Sequence, residues 1–369
     1  MDAIKFAERM LALLDRGSFV ATYKYAVLLG LMDLCMEHTS RTGAPPDFVT
    51  TRELAEKVLE LYWPHTTPFS AGGQPKILKQ TTGSQTVILK SIVKFRDQLT
   101  SPANSPHAAR LEDPAGFERL VQKVEWTLIL MPLPRVQVVG KQEDRILYDI
   151  HWDLGIERQK RIVTRYQQQK PSPFDNRILF RPRVAGFLTM LSGLLRPLIH
   201  REWAAMVARI NKLEESQLET FLFGASRSQL ASVRPHLREL QDNRCFYCES
   251  PLDRSVEVDH FIPWSRYPDD GIENLVVSHK KCNNKKRDFL AATGHLAKWA
   301  ERNSIESGAA ASLEQIAETA RWERHRERTL GVARAIYYRL PPETRLWRQE
   351  DEFEPLEPRT VRAVLEQSV

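Results

Sequence analysis

A chain of 369 residues, 42% hydrophobic and 27% charged, can fill the cores of two or three domains, which excludes an intrinsically disordered protein. The formal net charge of +6, from 53 Lys and Arg against 47 Asp and Glu, is a small excess that favours a polyanionic partner without specifying one. The most apolar stretch, AVLLGLMDLCM (26–36), is interrupted by Asp33 and is much shorter than the ~20 residues of a membrane span, and MDAIKFAERM lacks the form of a signal peptide, so a cytoplasmic protein with no membrane partner is expected.

Helical spacing runs through 3–15 (Ile4, Phe6, Ala7, Met10, Leu11, Leu14) and 19–38 (Tyr25, Leu28, Leu29, Met32). Thr50-Thr51-Arg52-Glu53 has the form of a capping box and opens a third helix that ends near Trp63. Residues 64–85 read as a polar loop, 85–99 as a helix, and SPANSPHAARLEDP (101–114) as a linker. A short helix near 115–126 precedes RVQVVG and RILYDI, which flank KQED as the two arms of a β-hairpin. ERQKRIVTRYQQQK (157–170) is a basic stretch that could extend a nucleic-acid track. In the long helical pattern 185–213, Pro197 predicts a kink or a division. After 227–241 comes a cysteine-rich region, followed by helices again (HLAKWAERN, then 312–340) and an acidic, proline-containing tail.

Three of the four cysteines, Cys245, Cys248 and Cys282, cluster, whereas Cys35 stands apart on an apolar helical face as an inert core residue. Cys245-x2-Cys248 and His279-x2-Cys282 form two knuckles. Zinc takes four tetrahedral thiolate and imidazole ligands, and the x2 spacing aims both members of a pair at one ion. A Cys3His set is closed, so it predicts a structural Zn²⁺. Between the knuckles EVDHFIPWS reads as a short strand in which Asp259 and His260 face opposite sides unless the strand ends there, and Pro263 ends it nearby. The order is strand, loop (SRYPDDGIEN), strand (LVV) and basic helix.

Taken together, the zinc pairs, Asp259-His260, Asn274 and the CNxxK run at Cys282 resemble HNH endonucleases of the ββα-metal, treble-clef type. The knuckles are similar to those of McrA-like restriction nucleases. The spacing of His260, Asn274 and Asn283 is similar to that in the HNH domain of the RNA-guided CRISPR effector nuclease. The whole chain resembles a bacterial family of stand-alone HNH proteins. His279 stands where many members have a third Cys, and Asn283 where the family name has its last His.

The resemblance implies an α+β, mostly helical protein with a metal-dependent nuclease domain that cuts or nicks DNA, in a restriction or anti-phage setting with a possible defence-system partner protein. The chain reads as four regions: a helical N-terminal domain (1–110), a mixed region of helices and the β-hairpin (111–225), the HNH domain (226–300) and a helical tail (301–369). His260 is then the general base, Asp259 and Asn283 the ligands of a catalytic Mg²⁺ or other divalent cation, and Asn274 an orienting residue that ties the loop and holds the imidazole. Lys280, Lys281, Lys285, Lys286 and Arg287 are expected to face phosphate, Lys286 as the family's CNxxK lysine, while Trp264 packs and Glu257, on the strand face of Asp259, reads as solvated surface with a spare metal ligand as the alternative. A zinc-stabilised nucleic-acid-binding module without hydrolysis, and an RNase toxin on the same fold, are the alternatives.

Overall fold

The computed structural model describes residues 1–16, 20–70, 74–101, 103–139, 142–215, 218–224 and 229–367. The chain divides into two compact units, Met1–Cys35 with Pro46–Gly224, and Met36–Pro45 with Ala225–Val369. The boundary expected between 225 and 226 lies outside the described residues, as do 71–73 of the polar loop and the first two residues of the 227–241 stretch. Among the described residues, no helix is long and apolar enough to cross a membrane.

The first unit is built from α1 (Ala3–Arg16), α2 (Tyr23–Glu37, whose last two residues count with the second unit), β1 (Phe48–Thr50), α3 (Thr51–Tyr62), α4 (Val87–Arg96), α5 (Pro106–Glu112), α6 (Pro114–Leu130), β2 (Val138–Val139), β3 (Gln142–Glu143), β4 (Tyr148–Asp149), α7 (Lys160–Gln167), β5 (Arg177–Phe180), α8 (Val184–Met190), α9 (Ser192–Asn211) and α10 (Leu218–Phe223). α2 is apolar on every side, the pattern of a helix buried all round, and it lies in a core with Leu54, Val58, Leu89, Val121, Leu128 and Trp203. The capping box forms: Thr50 Oγ1 accepts from Glu53 N at 3.2 Å and Glu53 Oε2 accepts from Thr50 N at 2.7 Å.

Three expectations are corrected here. RILYDI does not pair with RVQVVG: β2 pairs with β3, while β4 joins β1 on either side of β5 in an antiparallel sheet of order β1-β5-β4. Ile146, Leu147 and Tyr148 are all buried, and the Gln137 amide takes the place of a ladder, accepting from Leu147 N at 2.7 Å and donating to Tyr148 O at 2.9 Å. The 101–114 stretch is not a linker. Ser105 caps α5, Ala109 is buried, and α5 lies against α6 within the unit. The 185–213 pattern divides at Leu191, six residues before Pro197, which α9 accommodates in its second turn.

His65 makes this unit sensitive to acid. Its ring is buried among Tyr62, Trp203 and Phe223, with Leu222 O 3.2 Å from Nε2 and the Gln80 amide 3.5 Å from Nδ1. Burial lowers its pKa from the ordinary 6.5 to about 3, partly opposed by the Leu222 carbonyl. The unfolded state therefore binds a proton that the folded state refuses. Stability is full above pH 6.5 and erodes as pH falls from 6.5 towards 3, by about 2–3 kcal/mol at two units below the unfolded value. Urea midpoints at pH 7 and 4.5 should show a smaller acid loss for His65→Gln than for the native chain.

The second unit contains α11 (Arg234–Leu240), β6 (Val256–His260), β7 (Leu275–His279), α12 (Lys280–Lys286), α13 (Thr293–Arg302), α14 (Gly308–Ala320), α15 (Arg326–Tyr337), β8 (Arg345–Gln349), β9 (Glu352–Pro355) and α16 (Pro358–Gln367). Its core runs from Phe246 and Phe261 through Trp299, which stacks on Phe261 at 4.8 Å, to Trp347 and Leu365. The tail is not helix throughout: β8 and β9 form an antiparallel hairpin, and Trp347 bonds backbone to backbone with Leu290 and Ala292. The segment Met36–Pro45 lies against α15 at Gly331, where a Cβ would stand 1.9 Å from Glu37 O, so only glycine allows this approach.

Candidate active site and zinc centre

Cys245, Cys248, His279 and Cys282 offer ligand atoms that all lie within 4.8 Å of one another. Cys245 and Cys248 come from the turn after α11, His279 from the end of β7 and Cys282 from the first turn of α12. His279 Nδ1 is 3.3 Å from Cys248 Sγ, and its Nε2 lies 3.0 Å from Pro251 O. A carbonyl can only accept, so Nε2 carries the proton and Nδ1 is left as the donor atom. Cys282 donating to Cys245, helped by the backbone N–H groups of Cys248, His279 and Tyr247, lowers the Cys245 pKa to about 4, against an opposing burial effect; the same shared proton raises that of Cys282. Three sulfurs and one imidazole nitrogen, with a thiolate already favoured, fit a closed tetrahedral zinc centre.

β6 and β7 pair antiparallel with Asp259 opposite Val276 and His260 opposite Leu275, and α12 follows without a gap. β6 ends at His260, so Asp259 and His260 line one cavity of about 760 Å³ together with Glu257, Trp264, Asn283 and Arg287. Asp259 Oδ2 accepts from Tyr247 OH at 2.5 Å and lies 3.0 Å from Lys286 Nζ. Tyr247 sits inside the first knuckle. Burial and the Asp259 charge raise its pKa well above the usual value, so it stays a donor. The first knuckle thereby touches the Asp259 carboxylate directly.

Asn274 is fully buried and ties the loop: its Nδ2 donates to Ile262 O at 3.2 Å and Asp269 O at 3.0 Å, and its Oδ1 accepts from Ile262 N at 2.8 Å. The imidazole is held by a different residue. Asp270 Oδ1 lies 2.8 Å from His260 Nε2. Asp270 is fixed through its carbonyl, which accepts from Trp322 Nε1 at 2.6 Å. Its neighbour Asp269 is buried and accepts from Thr329 Oγ1 at 2.7 Å and Gly271 N at 3.0 Å. The DD pair in SRYPDDGIEN was the available signal for Asp270, but nothing local in sequence distinguishes the anchoring acid from the one that reaches the imidazole.

Two other expectations are corrected. Glu257 is not a solvated surface residue: it is half-buried and accepts from Asn283 Nδ2 at 2.7 Å. Lys286 does not face phosphate. Its side chain is fully buried, and besides Asp259 it donates to His260 O at 2.9 Å, so it braces the strand end from within. Lys281 and Lys285 are exposed and half-buried, but the tip of the β8–β9 hairpin engages both, Glu350 at 2.6 Å from Lys281 and Asp351 at 2.7 Å from Lys285. Lys280 and Arg287 are exposed, and Trp264 both lines the cavity and sets its ring 5.2 Å from that of His260. Arg234 of α11, which the sequence did not mark, also lines the cavity.

A strand pair and a helix thus meet at a Cys3His cluster that could hold zinc, with a histidine and carboxylates at the strand end. Residues 245–292 match the family model described as HNH endonuclease, and this stretch is an HNH endonuclease domain. The chain is also similar to the Septu protein PtuB of Bacillus thuringiensis, 44% identical over 59 residues. That match covers 15% of this chain and spans only 23% of the length of the relative. No solved structure matches significantly.

Proposed function

We propose that the chain is a metal-dependent endonuclease that hydrolyses DNA phosphodiester bonds, with His260 as general base. The observation that carries this reading is His260, paired with Asp270 at 2.8 Å, lining the same cavity as Asp259, Glu257 and Asn283. A carboxylate accepts and does not donate, so the proton of the neutral imidazole resides on Nε2 and the Nδ1 lone pair is the one available to a water. As that water's oxygen bonds to phosphorus and the 3′ oxygen departs, its proton passes to Nδ1, and Asp270 offsets the charge gained by the ring.

Asp259 and Asn283 would hold the divalent cation, with Glu257 beside them. The fit rests on the donor set: Asn283 turns its Nδ2 to Glu257, and Asp259 commits Oδ2 to Tyr247 and Lys286, leaving one oxygen of each side chain unengaged among the described residues. When bound, such an ion supplies Lewis-acid neutralisation of phosphate and leaving-oxygen charge. Lys286 and Tyr247 keep the Asp259 carboxylate in one orientation. Lys280 and Arg287, with Arg234, are the cations this reading assigns to phosphate; Arg234 and Arg287 line the cavity. The likeness of the knuckles to restriction nucleases supports a restriction or anti-phage role, with a defence-system partner.

Supercoiled plasmid incubated with the purified chain and Mg²⁺ should be converted to nicked or linear form, and EDTA should stop the conversion. An intact plasmid under both conditions would reject the reading in favour of a binding module, and degradation of tRNA with plasmid spared would make the substrate RNA. Asp270→Asn should slow nicking by roughly 10- to 100-fold, as loss of a partner that orients a histidine does elsewhere. Asp270→Glu should recover part of the rate at unchanged DNA affinity. Equal rates for Asn and native Asp would remove Asp270 from the mechanism.

A further inference from the structure

The basic stretch at 157–170 lies in the first unit, and none of its residues lines the cavity at His260. A 3-10 turn (Leu154–Gln159) leads into α7. Ile156 and Val163 point inward and are buried with Ile129. Polar bonds fasten the same side: Gln167 Nε2 donates to Gln122 O at 2.9 Å and Glu125 Oε2 at 2.8 Å, and Tyr166 OH donates to Glu125 Oε1 at 3.0 Å. The outward side carries Arg158, Lys160, Arg161, Arg165 and Lys170, all exposed.

None of these five makes an ion pair among the described residues. Arg165 donates to Pro171 O and Lys170 to Gln168 Oε1, both neutral, and Lys160 sits over the Trp126 ring. Elsewhere in this unit Arg52, Arg110, Arg177 and Arg181 each meet a carboxylate. In the HNH domain the lysines at 281, 285 and 286 are likewise paired. A rigid face of unpaired like charges is self-repelling when free and gains most from a polyanion.

We propose that this face of the 3-10 turn and α7 grips the phosphate backbone of duplex DNA, as a contact separate from the catalytic cavity. The inference rests on the nuclease reading for its choice of polyanion. A lipid surface fits less well, because a helix lying on a membrane needs a broad exposed apolar face, and here Ile156 and Val163 are turned into the core with only Leu154 exposed at the start of the turn. Backbone contact by arginine and lysine is independent of sequence and releases counterions, so its signature is salt dependence.

The test measures full-length protein binding to a labelled duplex without divalent cation, from about 50 to 200 mM salt. One variant carries Arg158→Gln, Lys160→Gln, Arg161→Gln and Arg165→Gln. A control of equal charge change carries Lys5→Gln, Lys79→Gln, Lys90→Gln and Lys94→Gln, all exposed positions of the same unit. The slope of log affinity against log salt should fall by about 3 to 4 in the first variant, with on the order of a hundredfold weaker binding at the low-salt end. The control should stay near the native slope. Equal slopes for the two variants, or a loss of binding to phosphatidylserine vesicles with DNA binding unchanged, would overturn the proposal. If the native chain nicks plasmid while the slope does not move, this inference fails by itself; if it neither nicks nor binds DNA, the nuclease reading falls with it.

Discussion

Replacing His260 with alanine is expected to lower plasmid nicking by roughly 10²- to 10⁴-fold, the usual contribution of a positioned base. The fold should survive. The Lys286 bond near this position goes to the backbone carbonyl of residue 260, which alanine retains. Asp270, left without the imidazole, has a side chain 30% exposed and can be hydrated rather than stranded as a buried charge. Zinc content and DNA affinity should therefore match the native chain while the rate collapses, a combination that general unfolding cannot produce. The check is a single-turnover nicking assay run beside a binding titration and a zinc measurement. An undiminished rate would transfer the role of base to another group in the cavity.

Cys282→Ser should remove zinc and destabilise the second unit by on the order of 5 kcal/mol, since loss of a structural metal ranks among the largest single-residue effects. The consequence reaches further than the knuckles. Cys282 lies one residue before Asn283 on α12, and Tyr247, between the two thiols of the first knuckle, donates to Asp259. A zinc ion tying α12 to the turn after α11 would thus fix both proposed cation ligands. Zinc per chain should fall well below one, the melting midpoint of the second unit should drop, and nicking should fall too, unlike in His260→Ala where only the last changes. Full zinc occupancy and an unaltered midpoint in Cys282→Ser would contradict the assigned ligand set.

Features set by neighbours in the chain were legible in advance. The Thr50–Glu53 capping box, the two x2 knuckles and the β6-β7-α12 order all depend on residues close in sequence, where spacing nearly determines geometry. What was missed depends on distant partners. β4 reads as a hairpin arm because a strand carries no label for its mate, and β5 lies about thirty residues further on. Lys286 looks like a phosphate contact until the helix phase turns it under β6, and Lys281 and Lys285 look free until a hairpin about seventy residues away supplies Glu350 and Asp351. Asp270 is one of two adjacent acids, and which one meets His260 is decided by Thr329 and Trp322 on another part of the unit.

Two different ions are proposed to serve this domain, one bracing it and one taking part in hydrolysis. The direct measurement follows both in one preparation: zinc per chain by elemental analysis and nicking rate, before and after brief EDTA treatment and again after adding Mg²⁺. The expected result is one zinc per chain throughout, nicking abolished by EDTA and recovered with Mg²⁺. Nicking that departs with the zinc and returns only when zinc is restored would contradict it.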